Sequence, residues 1–126
     1  GYALGSEELI GIMRKCSASW NLNVCAQKAA VAGLADQEYY QEQKAKIVEG
    51  REYLEKEMAA LGCRVYPSQS NFIYFDTGKD PAWIQEQLME KGIRIGAFEM
   101  SRVSVGTMEE CKLYIKALKE ILEAAE

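Results

Sequence analysis

Few residue types in this sequence are placed to do chemistry. Its 126 residues include no histidine, four cysteines, fifteen Lys and Arg, and nineteen Asp and Glu. Without an imidazole there is no Ser-His-Asp triad, no Cys-His pair and no histidine base. Cys16, Cys25, Cys63 and Cys111 are widely spaced and form no Cys-x-x-Cys pair. They read as small buried or half-buried free thiols of a reducing compartment, and no metal site is expected. Arg102 is different, because it heads the alternating run "RVSVG". A guanidinium offers two parallel N–H donors to a carboxylate, fixing orientation as well as charge. From the residue alone, Arg102 is either such a clamp or a strand arginine paired with a surface acid. The lysines and most other carboxylates fall on polar helix faces or turns, with Glu52 and Lys56 spaced for an i,i+4 pair.

The elements that must position Arg102 follow from pattern and punctuation. "GYALG" (1–5) reads as a strand stub, and Ser6 as the cap of a helix that carries Glu7 and Glu8 in its first turn. "SASWNLNVCAQ" (17–27) reads as a loop feeding an alanine-rich helix that ends near Asp36. A long helix runs from Gln37 to Ala60, with Tyr40, Ile47, Leu54 and Leu61 every seven residues and Met58 on the same face. The period then changes. "CRVYP" (63–67) and "NFIYFDT" (71–77) alternate as strands. Asp80-Pro81 opens a helix that ends at Gly92, followed by strands "GIRIG" (92–96) and "RVSVG" (102–106). Thr107 and Glu110 form a capping box for the last helix, whose stripe is Cys111, Tyr114, Ile115, Leu118, Ile121 and Leu122. The expected fold class is α/β, a small mixed sheet covered by helices on one face.

Composition sets further bounds. The length suits one domain. A net charge of −4 and a pI near 5.0 speak against nucleic acid as partner. No apolar run approaches the roughly 18 residues of a membrane span and no signal-peptide pattern opens the chain, so no membrane partner and a cytoplasmic location are expected.

Five segments in order, "GYALG", "WNLNVCAQKAA", "YPSQSNFIYFD", "GIRIG" and "RVSVGTMEEC", resemble the C-terminal part of pyridoxal-phosphate-dependent aminotransferases of fold type I. The branch they are most similar to is the histidinol-phosphate aminotransferase family. The resemblance runs essentially end to end and implies that residues 1–126 form the small domain of such an enzyme, with 1–5 the stub of a large N-terminal domain. It further implies that the lysine carrying the pyridoxal phosphate, and the other cofactor-binding groups, lie in that missing large domain. This chain would then hold no catalytic or cofactor-binding residue and would be inactive alone. The whole enzyme is expected to be a homodimer exchanging amino groups between an amino acid and a 2-oxo acid.

The resemblance assigns Arg102 to the substrate α-carboxylate. It makes Asn23 of "WNLN", near the substrate entrance, a second substrate-binding candidate, with a helix cap as the competing reading. Members of the branch usually carry a phosphate-binding arginine at the end of the strand matching "GIRIG"; here that place is Gly96, and Arg94 stands two residues earlier. This departure favours a more general amino-acid substrate, with Arg94 a secondary substrate-binding candidate. Two alternatives remain: a phospho-amino-acid decarboxylase of the same family, and a stand-alone binding or oligomerisation module.

Overall fold

The computed structural model describes residues 3–18 and 21–125. Gly1 and Tyr2 of the expected stub, and Ser19 and Trp20 of the expected loop, lie outside the described residues. Ala3, Leu4 and Gly5 carry no regular structure, so the described part of the stub is not a strand. A strand needs a ladder partner, and no described ladder includes these residues.

The chain divides into two compact units, with the boundary after Tyr40. In the first, α1 (Glu7–Cys16) starts where the Ser6 side chain accepts the Leu9 N–H, and Arg14 and Lys15 in its last turn complement the helix dipole. In α2 (Val24–Ala35) the Asn23 side chain does the same for the Ala26 N–H. Neither helix has a buried residue, and Leu9, Ile12, Met13, Val31 and Leu34 are exposed.

The 24-residue helix α3 (Gln37–Ala60) begins in the first unit and ends in the second. Of its seven-residue series, Leu54 is buried together with Met58, whereas Tyr40 is exposed. The second unit continues with β1 (Arg64–Val65), β2 (Phe72–Asp76), α4 (Pro81–Glu90), β3 (Gly96–Ala97), β4 (Ser101–Ser104) and α5 (Met108–Ala124). This is the expected order of helices and strands. The sheet order is β1-β2-β4-β3, and all three ladders are antiparallel. The sheet is therefore wholly antiparallel and not the mixed sheet expected. β2 and β3 run in the same direction, as a strand–helix–strand connection favours, but β4 is inserted between them.

The strand expected over 92–96 is largely absent, for a local reason. Gly92 has φ +78°, and the Ile93 N–H bonds back to the Leu88 carbonyl. The start of the segment is thus spent closing α4, and pairing begins only at Gly96. Gly62 and Cys63 close α3 in the same way, with the Cys63 N–H on the Met58 carbonyl.

Alternation gives the sheet two faces. Ile73, Phe75 and Val103 point into the core with Leu54 and Met58 of α3, Ile84 and Leu88 of α4, and Tyr114, Leu118 and Ile121 of α5. The register pairs Ile73 with Val103 and Phe75 with Ser101 on that face, and Phe72 with Ser104 and Tyr74 with Arg102 on the other. Gly50 lets α3 approach closely: a Cβ there would stand 2.8 Å from a methyl of Val105. The expected capping box is formed, with Thr107 and Glu110 each accepting from the other's backbone N–H. Glu52–Lys56 is not among the ion pairs of the described residues; along α3 those are Glu42–Lys46 and Arg51–Glu55. No helix among the described residues is long and apolar enough to cross a membrane.

Candidate functional site

Arg102 stands in β4 on the face of the sheet opposite the core, half-buried, with Ser104 on the same side and Val103 turned inward. Its carbon Cζ lies 5.3 Å from the centroid of the Phe72 ring and 5.2 Å from that of Phe98. Phe72 comes from β2, on one side of β4, and Phe98 follows β3, on the other. Both distances are within the range in which a ring face attracts a cation. Among the described residues neither Arg102 nor Arg94 has an ion-pair partner, and no protein acceptor takes a hydrogen bond from either guanidinium. The surface-ion-pair reading of Arg102 therefore lacks the acid it requires.

A cleft of about 470 Å³ has Gln85, Arg94, Gly96, Phe98, Arg102 and Ser104 among its walls. Arg94 is exposed and outside any strand, yet it lines the same cleft as Arg102. Gln85 of α4 donates from Nε2 to the Ile95 carbonyl at 2.7 Å, anchoring the segment that joins the two arginines. Gly96 pairs directly with Arg102. An added Cβ at 96 would sit 2.8 Å from the Phe98 ring and 3.6 Å from Arg102 Nε. The bare glycine is therefore the space into which Phe98 folds.

Asn23 belongs to the first unit. Its Oδ1 accepts the Ala26 N–H at 2.7 Å, so this side chain's oxygen caps α2. Asn71 is likewise engaged at the start of β2, where its carbonyl accepts the Val105 N–H. Sequence reasoning singles out neither Phe72 nor Phe98. Period-two alternation is enough to place Phe72 on Arg102's face, but only the register brings Phe98 there.

The other reactive groups are not poised for chemistry. Burial pushes the Cys63 thiol up to about 11, helped by the charge of Asp76, and burial also raises Cys111. Cys16 and Cys25, by contrast, are exposed rather than buried or half-buried. No three His, Cys, Asp or Glu side chains among the described residues are grouped to hold a metal.

The aminotransferase class I and II family model matches residues 1–118. This chain belongs to that family. Among curated members, the histidinol-phosphate aminotransferase of Moorella thermoacetica is 32% identical over 97% of this chain and 33% of its own length. That of Nitratidesulfovibrio vulgaris strain Hildenborough is 35% identical over 99% of this chain and 35% of its own. The chain thus spans about a third of the length of the curated aminotransferases it matches. In three dimensions it is similar to the histidinol-phosphate aminotransferase of Sinorhizobium meliloti in complex with pyridoxal-5'-phosphate. There the TM-score is 0.74 at 30% identity, covering 91% of this chain and 34% of that one.

Pyridoxal phosphate needs a lysine amine for covalent attachment and polar groups for its ring nitrogen and phosphate. All ten lysines of the chain are exposed, and the cleft walls include no lysine and no carboxylate. The residues around Arg102 do not by themselves fit the cofactor. Two arginines without an acid along the cleft leave it with N–H donors and positive charge.

Proposed function

We propose that this chain is the small domain of a pyridoxal-phosphate-dependent aminotransferase, in which Arg102 binds the α-carboxylate of the amino-acid or 2-oxo-acid substrate. The observation that carries the reading is a half-buried arginine on the sheet face opposite the core, with no acidic partner among the described residues. Family membership over residues 1–118 supports the reaction class. The cofactor would be held by the part of the enzyme that corresponds to the remaining two-thirds of its relatives. Residues 1–5 would belong to that larger domain, and this chain alone would not transfer amino groups. Arg94, on the same cleft, is proposed as a secondary cation toward the substrate's distal end. Asn23, engaged as a cap, is proposed to shape the substrate entrance through its backbone rather than to bind by its oxygen. The exposed Leu9, Ile12, Met13 and Leu34 support a whole enzyme in which this region is covered, as in a homodimer.

The chain's own contribution to the reaction is orientation. A bidentate guanidinium–carboxylate pair fixes the plane of the substrate's α-carbon substituents relative to the rest of the site. The test is steady-state kinetics of the full-length enzyme carrying Arg102→Gln. A charge-assisted pair of this kind is worth roughly 1.5–3 kcal/mol, so KM for the amino acid should rise about 10- to 100-fold with cofactor absorbance unchanged. Wild-type KM and kcat in the variant would end the carboxylate assignment.

A further inference from the structure

Carboxylate binding leaves one feature at Arg102 unexplained: the two rings around it. Phe98 is 60% exposed, so burial does little to account for where it lies. Its backbone N–H bonds to the Met100 carbonyl in the turn after β3, which directs the ring back across Gly96 toward Arg102. Two phenyl groups from opposite sides of β4 then meet one guanidinium. A ring attracts a guanidinium through its face and leaves the in-plane N–H donors unused. An ion pair would orient the arginine too, but would consume the fork. Stacking holds the group while keeping its donors free.

We infer that Phe98 is a positioning residue for Arg102. Its ring, admitted by the absent side chain at Gly96 and acting opposite Phe72, sets the direction in which the guanidinium meets a substrate carboxylate. Gly96 is part of the same device, since a methyl there would push the ring aside. The inference rests on the proposed carboxylate role of Arg102. It adds that the affinity of that arginine depends on an exposed aromatic residue with no polar group of its own.

The experiment compares wild type, Phe98→Ala, Phe98→Tyr, Gly96→Ala and Arg102→Gln in the full-length enzyme, reading KM, kcat and thermal midpoint. Loss of one cation–π contact should raise KM for the amino acid about fivefold in Phe98→Ala, with kcat within about twofold and the midpoint unmoved. Phe98→Tyr, which keeps the ring, should restore wild-type KM, and Gly96→Ala should behave like Phe98→Ala. A normal KM in Phe98→Ala beside a raised KM in Arg102→Gln would overturn the positioning role and leave the carboxylate reading standing. A normal KM in Arg102→Gln would overturn both. A fall in thermal midpoint and kcat together in Phe98→Ala, not recovered by tyrosine, would make the residue merely structural and also overturn the inference.

Discussion

The two faces of the sheet are built from the same strands, residue by residue in alternation, and do opposite work. On the inner face Ile73, Phe75 and Val103 meet three helices and are almost fully excluded from water. On the outer face Phe72, Tyr74 and Arg102 are half-buried, Ser104 is exposed, and the Phe72 ring lies against a cation instead of a hydrocarbon core. The difference shows how little the type of a residue says about its role. Phe72 and Phe75 are the same amino acid three positions apart, and parity alone sends one to the core and the other to Arg102. The buried apolar packing is concentrated on one face, and the other carries the arginine proposed to bind substrate.

That contrast is open to measurement. The largest effect is expected from Phe75→Ala, which empties a fully buried site and should cost about 3–5 kcal/mol in urea unfolding of the 126-residue chain. Tyr74→Ala, one residue along, should cost less than about 1 kcal/mol. Comparable losses at the two positions would break the comparison. Next is Gly50→Ala, which forces a methyl against Val105 where α3 approaches the end of β4; overpacking of this kind costs about 1–3 kcal/mol. An unchanged or raised midpoint would mean that the inner packing is looser than the distances imply.

The smallest effect concerns the cap of α5, a helix that closes the inner face. The Thr107 backbone N–H, and then its hydroxyl, hold the Glu110 carboxyl below its ordinary value. A carboxylate with a lowered folded pKa stabilises above its unfolded value, near 4.5, and loses that contribution as pH falls through the folded value. The midpoint advantage of wild type over Glu110→Gln should therefore be full at about pH 6 and shrink below about pH 4.5. An advantage that grows with acid would contradict the cap as described.

Much of this arrangement was legible in the sequence because it depends on local rules. Ser6, Asn23, and Thr107 with Glu110 cap the helices they precede, and parity placed Arg102 and Ser104 opposite Val103. What was not legible depends on pieces far apart in the chain. Phe98 reaches Arg102 only because β4 is inserted between β2 and β3 and because Gly96 is its direct partner. Strand propensity over "GIRIG" gave way to the closure of α4, which takes up the start of that segment. The seven-residue series on α3 matched burial at Leu54 and failed at Tyr40, which stands at the division between the two units. Asn23 could be read either as a cap or as a substrate contact, and only geometry showed its oxygen already in use.

The insertion of β4 also bears on how the chain comes off the ribosome. β1 and β2 are adjacent in sequence and can pair as soon as both are made, but the other edge of β2 has no neighbour until residues 101–104 arrive. In that interval a strand with the sequence FIYFD shows a row of unpaired amides and carbonyls to water or to another nascent chain. The strand that carries the arginine is thus also the one that ends this exposure, so a chain stopped short of it would offer an adhesive edge that β4 otherwise covers.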